Sequence, residues 1–310
     1  MKLFLTVVFL YSLSCSFGQS PDDYYKKARE YYKADEYDKA LVQIDLAMQT
    51  DSINRDYQLL KGSILMELKQ YQESYNMFNK AVYQNPTDAM ALNSRALLLF
   101  RIQQFEDAIQ DFDKALGFMN ADSTRLSLYV NRGAAKTYIR DFQGAYDDLT
   151  AAYAIDSSDI GTLNNLASVS DEVGKGDQTL RYLNRILAID SGFIGAWINI
   201  GFKYQGMGQY KKAIRYFDRA LQIDPREALA YSNRAFNKYK LNDLKGAMED
   251  INKAIALYPD NSYAFRTRAM IYLAQKKKTE ACADMEEAIR LNFTKIYGDE
   301  VEKLKTLHCK

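Results

Sequence analysis

The sequence has few of the residues from which catalytic and metal centres are built. Its 310 residues include one histidine, His308, and three cysteines. It contains no HExxH, GxSxG, GxxxxGKS/T or CxxC motif. Because enzymes and metal sites draw on clustered His, Cys, Asp and Glu side chains, the sequence predicts no enzyme activity, no metal site and no cofactor. Gly174-Lys175-Gly176 falls between two predicted helices, and we interpret it as a tight turn rather than a phosphate loop.

Linkers and clustered positive charge are also scarce. Four prolines and no Ser/Gly-rich tract predict continuous order from about Pro21. Basic and acidic residues number 41 and 40, and removing Lys2 with the leader described next balances them. The densest basic run, Lys276-Lys277-Lys278, is expected in a solvated turn. A neutral chain without a basic face is not expected to bind nucleic acid.

One mostly apolar stretch lies at the N-terminus. It runs from Leu3 to Leu13 behind Lys2, and small Ser16 and Gly18 then flank Phe17. This pattern predicts a signal peptide over residues 1–18, cleaved after Gly18, and hence a periplasmic or secreted protein. Eleven residues are too few to cross a bilayer.

Cys15 leaves a second interpretation of the leader open. A lipoprotein cleaved before Cys15 would be tethered to a membrane, although Ser12-Leu13-Ser14 departs from the usual lipobox. A membrane contact is therefore expected only if Cys15 is lipidated.

From Pro21 the sequence repeats with a period of 34 residues. Each copy has two short segments with apolar residues at helical spacing, and small residues recur at positions 8 and 27. One step is 37 residues, and the extra residues near Asn120-Ala121-Asp122-Ser123 predict a longer loop there. The eight copies begin at Pro21, Arg55, Ala89, Leu126, Ile160, Ile194, Ala228 and Ser262.

The sixth copy has the fullest motif, and it resembles the tetratricopeptide repeat (TPR) signature. The resemblance covers residues 21–293 and implies an all-α fold, a right-handed superhelical solenoid of eight helix-turn-helix units. A C-terminal capping helix is expected in residues 294–310, because a terminal repeat needs a cap. The resemblance also implies that the first helices line a concave groove where family members bind proteins or peptides, without a common catalytic activity. The motif residues, at positions 4, 8, 11, 15, 20, 24, 27 and 32, are Trp197, Gly201, Tyr204, Gly208, Ala213, Phe217, Ala220 and Pro225.

Arginine at position 7 is accompanied by aspartate at position 23 of the same copy. Where position 7 is Leu166 or Ile200, position 23 is Tyr182 or Tyr216. We interpret the charged residues as ion pairs between the two helices of a unit, because a guanidinium can hold a carboxylate through two hydrogen bonds. The predicted pairs are Arg95 with Asp111, Arg132 with Asp148, Arg234 with Asp250, and Arg268 with Asp284.

Asparagine occupies position 6 of four successive copies. The resemblance implies that this position faces the groove, where an amide can both donate to and accept from a peptide backbone. Asparagine is also common there in the family, so a scaffold role is an equal alternative. Exposed aromatic residues in the groove favour binding. The predicted peptide-binding residues are Asn131, Asn165, Asn199, Asn233, Phe202 and Phe236.

Two cysteines, Cys282 and Cys309, remain after residues 1–18 are removed. An even pair in an exported chain predicts a disulfide. It would fasten a terminal segment over the last repeat, since a terminal repeat needs a cap.

These patterns together predict an exported scaffold that binds a protein or extended peptide in its groove, with no small-molecule substrate. The alternative is a structural or assembly subunit of a cell-envelope complex that uses its convex face or its ends.

Overall fold

The structure is a computed structural model that describes residues 20–119 and 121–309, and both the predicted signal peptide and Cys15 lie outside these ranges. The all-α prediction is confirmed: the described residues form eighteen helices and no strand. None of these helices has both the length and the apolar character that a bilayer crossing requires.

The chain divides into two compact units after Ile139. The helices of the first unit are α1 (Pro21–Lys33), α2 (Tyr37–Met48), α3 (Arg55–Glu67), α4 (Tyr71–Gln84), α5 (Ala89–Arg101), α6 (Phe105–Phe118) and α7 (Asp122–Tyr138). Those of the second are α8 (Phe142–Ile155), α9 (Ile160–Val169), α10 (Gly176–Ile189), α11 (Ile194–Gly206), α12 (Tyr210–Ile223), α13 (Ala228–Lys240), α14 (Leu244–Leu257), α15 (Ser262–Ala274), α16 (Lys278–Arg290), α17 (Phe293–Tyr297) and α18 (Glu300–His308).

Seven of the eight repeats open with a helix at the predicted first residue; the fourth does not. There, α7 begins at Asp122, so the predicted longer loop is wrong and the extra residues add a turn to α7. Arg125 stabilises this turn, because its guanidinium donates to the Met119 carbonyl at 3.2 Å and to the Tyr129 hydroxyl at 2.7 Å. Asp122 also lies where the helix dipole favours negative charge.

Small residues let the two helices of a repeat approach closely. In the sixth repeat Phe217 is fully buried against Gly201, where a Cβ atom would lie 2.7 Å from the ring. Gly62 and Phe78 make the same contact in the second repeat, where the corresponding distance is 2.4 Å. The core is therefore built from matched small and large side chains along each helix pair.

The predicted ion pairs that lie within one compact unit are present. Arg234 donates to both carboxylate oxygens of Asp250 at 2.7 Å. Arg95 with Asp111 and Arg268 with Asp284 have the same two-bond geometry, at 2.6–2.8 Å. The partners of the remaining pair belong to different units, so that pair stays a prediction.

The C-terminal segment covers the last repeat. Phe293 of α17 and Val301 of α18 are buried in one apolar cluster with Phe265 and Met285. Lys305 pairs with Glu286 at 3.1 Å. Cys282 of α16 is bonded to Cys309, with Cα atoms 5.7 Å apart, within the usual range for a disulfide.

Candidate functional site

Asn199 and Phe202 line one pocket of about 240 Å³ between α9, α10 and α11. Phe202 is 60% exposed, so its ring is accessible to a binding partner. The other lining residues combine an apolar floor with a polar rim; they are Ala167, Leu183, Ser168, Asp171, Thr179 and Lys203.

A shortened first helix places the acidic side of this pocket. α9 has 10 residues, whereas α11 has 13. It ends at Val169, where the hydroxyl of buried Ser170 donates to the Leu166 carbonyl at 2.6 Å. The chain then turns, and Gly174 adopts a left-handed φ of 72°. Asp171 consequently lies in the turn instead of in a helix.

Asp171 is held by groups from two other helices. The hydroxyl of Thr179, on α10, donates to it at 3.3 Å, and Lys203 of α11 forms an ion pair with it. A Cβ atom on Gly176 would lie 2.3 Å from the same carboxylate, so only glycine leaves room for Asp171 in this position. The Asp171–Lys203 ion pair therefore forms part of the pocket lining, together with Asn199.

A second polar contact joins the corresponding positions one repeat further along the chain. Asn237 of α13 donates to Gln205 of α11 at 2.6 Å, and these residues are 32 apart, as are Asp171 and Lys203. In both cases position 12 of one repeat meets position 10 of the next. We did not predict Asp171, Lys203 or Thr179 as site residues. A comparison of polar residues at this spacing would have found the two links.

The other predicted residues of the second unit occupy different surroundings. Asn165 is half-buried. Asn233 donates its amide to the Leu229 carbonyl at 2.9 Å, which engages part of its donor capacity within α13. Phe236 is half-buried, with its ring centroid 6.3 Å from that of Tyr263. The structure thus joins Asn199 and Phe202 in one pocket and gives Asn233 and Phe236 partners within the fold.

Asn131 belongs to the first unit, on α7, and is half-buried. Among the described residues, no three His, Cys, Asp or Glu side chains are grouped as metal ligands would be.

Comparison with known proteins identifies the family. Tetratricopeptide repeat families match residues 56–88, 77–110, 195–227, 228–261 and 267–295. With the helix pairs described above, these matches show that the chain is a tetratricopeptide repeat protein.

Two relatives and one solved structure illustrate the likeness. A TPR repeat-containing protein of Methanocaldococcus jannaschii is 26% identical over 204 residues, which are 51% of this chain and 36% of the relative. The Hsp70-Hsp90 organizing protein of Triticum aestivum is 22% identical over 146 residues, 47% and 25% of the two chains. This chain therefore spans about a third or less of these relatives.

The structure of the C-terminal part of a TPR repeat-containing protein from Cytophaga hutchinsonii matches with a TM-score of 0.57 at 18% identity. The match covers 76% of this chain and 96% of that one. At this identity the likeness concerns the fold.

Proposed function

We propose that this protein is an exported TPR scaffold that binds a protein or an extended peptide along its first helices. The observation that carries the proposal is the pocket at Asn199 and Phe202, which combines an exposed aromatic face, a backbone-pairing amide and a fixed ion pair. The wheat relative is named as an organizing protein for Hsp70 and Hsp90, which supports protein binding as the general role.

The size of the pocket favours a single side chain over a small molecule. At about 240 Å³ it is smaller than the roughly 300–1,000 Å³ of most ligand pockets. An apolar side chain of the bound segment would lie against Phe202 and Leu183, while the amide of Asn199 pairs with the adjoining peptide unit. Asn165, Asn233 and Phe236 of the same compact unit would extend the same recognition along the segment, and Asn131 of the first unit stays a prediction from the sequence.

Substitution of Phe202 tests this binding mode. Phe202→Ala should reduce capture of the native partner by about tenfold or more, since exposed aromatic anchors carry much of the energy at interfaces. The control is Tyr83→Ala on α4, because Tyr83 is an exposed aromatic residue outside the pocket. Both variants should melt like the parent. Equal capture by the parent and Phe202→Ala would contradict the proposal and favour an assembly role through another surface.

The export proposal rests on the leader-like N-terminus and the paired cysteines. N-terminal sequencing of the protein purified from its native envelope should begin at Gln19. A lipid-modified Cys15 as the first residue would instead establish the membrane-tethered alternative, and a retained Met1 would contradict export.

A further inference from the structure

A second pocket, of about 390 Å³, lies on the opposite side of α11 from Phe202. Successive helical residues are rotated by about 100°, so Trp197 and Tyr204 share one side of α11 while Asn199 and Phe202 lie on the other. The two pockets have no lining residue in common. The lining residues of the second pocket are Trp197, Tyr204, Lys212, Arg215, Tyr216 and Arg219.

Three aromatic rings form the wall of this pocket. Tyr216 stacks on Tyr204 with ring centroids 5.3 Å apart, and the Trp197 ring lies 5.9 Å from Tyr216. The indole N–H of Trp197 donates to the Ser191 carbonyl at 2.9 Å, which fixes the ring. Contacts within the protein therefore hold the three rings in place.

Three cations from α12 form the rim. Lys212, Arg215 and Arg219 are spaced three and four residues apart, so they share one helix face. Lys212 lies 5.2 Å from the Tyr204 ring centroid, and Arg219 donates to a neutral side-chain oxygen of Gln222 at 2.8 Å. In the described part of the chain, none of the three cations has a carboxylate partner.

The repeat pattern explains why no carboxylate pairs with these three cations. Where other repeats pair arginine at position 7 with aspartate at position 23, this repeat has Ile200 and Tyr216. The one acidic residue of α12, Asp218, is engaged by Arg234 at 2.7 Å. A local excess of positive charge thus lies beside aromatic rings in a chain that is nearly neutral overall.

We infer that this pocket binds an acidic segment of a partner protein, with carboxylates on Arg215 and Arg219 and an apolar side chain on the Trp197–Tyr216 wall. Guanidinium groups pair with carboxylates through two hydrogen bonds, and Trp, Tyr and Arg are the residues enriched at interface hot spots. Positive charge also speeds the approach of an acidic partner. This site is separate from the pocket at Asn199 and Phe202 and does not depend on it.

Trp197 is the single tryptophan of the chain, so its fluorescence reports on this pocket directly. The mature chain would be titrated with an end-capped peptide Glu-Glu-Phe-Glu-Glu and with its neutral analogue Gln-Gln-Phe-Gln-Gln. The acidic peptide should change the Trp197 emission saturably, with an affinity at least about tenfold higher than that of the neutral peptide and falling as salt is added.

A charge-matched pair of variants checks that the pocket is responsible. Replacing Lys212, Arg215 and Arg219 by glutamine should weaken the acidic peptide by about tenfold or more. Replacing exposed lysines on other helices, Lys114, Lys245 and Lys253, by glutamine should leave it nearly unchanged.

Three results would overturn the inference. The first is equal binding of the acidic peptide by the parent and the pocket variant, and the second is no change in Trp197 emission. The third is tighter binding of an acidic oligosaccharide, oligogalacturonate, than of the peptide, which would assign the pocket to a sugar acid instead of a protein segment.

Discussion

At the scale of single residues, position 15 of each repeat adopts a left-handed backbone conformation with φ of 58–72°. In seven repeats this residue directly follows the C-cap of the first helix, and in the fifth it lies in the longer turn after α9. Non-glycine residues resist this conformation because Cβ approaches the following carbonyl. Two repeats use glycine, and the others accept the strain. The residues are Asp35, Lys69, Gln103, Arg140, Gly174, Gly208, Asn242 and Lys276.

Gly208→Ala should therefore destabilise the protein by about 1 kcal/mol, because alanine must adopt φ near 70° there. The control is Gly206→Ala two residues earlier, where the backbone is helical and an added Cβ would meet no atom within 4 Å. That control should be neutral or slightly stabilising. Thermal unfolding of both variants measures the difference, and equal loss from the two would contradict the account.

The pocket at Asn199 and Phe202 also depends on single residues that the sequence pattern did not indicate. Thr179 occupies a position where most repeats have alanine, and its hydroxyl donates to Asp171. Asp171 and Lys203 lie 32 residues apart on different repeats, so no motif within one repeat joins them. Asn199 and Phe202 were predictable because the family resemblance implies which helix face they occupy.

At the scale of helices, buried ion pairs fasten the two helices of a repeat. Arg234 is bonded to Asp250 and, through a third donor, to Asp218 of the preceding repeat at 2.7 Å. Burial alone would lower the pKa of Arg234, but its bonds to the two carboxylates raise that pKa above the usual value. The guanidinium thus joins adjacent repeats as well as the helices of its own repeat.

Arg234→Leu should destabilise the protein by about 2 kcal/mol, because buried Asp250 loses a two-bond partner. Lys238, whose Nζ lies 2.8 Å from Asp250, remains to offset part of the loss. The double variant Arg234→Leu with Asp250→Leu should recover part of the stability. Denaturant unfolding of both variants measures the effect, and an unchanged midpoint for the single variant would contradict the assignment.

The Cys282–Cys309 disulfide joins the C-terminal helices α17 and α18 to the last repeat. Cys282→Ser should lower the free energy of unfolding by roughly 3.5 kcal/mol in a chain-entropy treatment of the closed loop. Thiol titration of the folded protein without residues 1–18 provides a direct check, with no free thiol expected. Two titratable thiols would contradict the bond.

Helix positions were largely predictable from the sequence, because helical spacing and small residues recur every 34 residues. One exception, the start of α7, depends on contacts of Arg125 with Met119 and Tyr129 that no periodic pattern indicates. The early end of α9 at Val169 is a second exception, and the Asp171 turn that follows it is held by Thr179 and Lys203 of later helices.

At the scale of the whole molecule, the chain is nearly neutral although one helix face carries an excess of positive charge. The chain carries 41 basic and 40 acidic residues, and neutrality led us to expect no basic surface. Helical spacing nevertheless gathers Lys212, Arg215 and Arg219 on one face of α12. The two proposed pockets should therefore differ in salt dependence. Backbone pairing by asparagine should be only weakly sensitive to salt, whereas the α12 pocket should lose affinity as salt rises.

The central claim is that asparagine amides on the first helices hold the backbone of a bound segment. The most direct test is partner capture by a variant with Asn165, Asn199 and Asn233, which belong to one compact unit, all replaced by alanine. Each lost amide pair should cost about 0.5–1.5 kcal/mol, so capture should weaken by about two orders of magnitude while the helical melt stays nearly unchanged. A control with Asn76→Ala and Asn184→Ala, both exposed on second helices, should capture normally. Normal capture by the triple variant would show that these asparagines are scaffold and contradict the account.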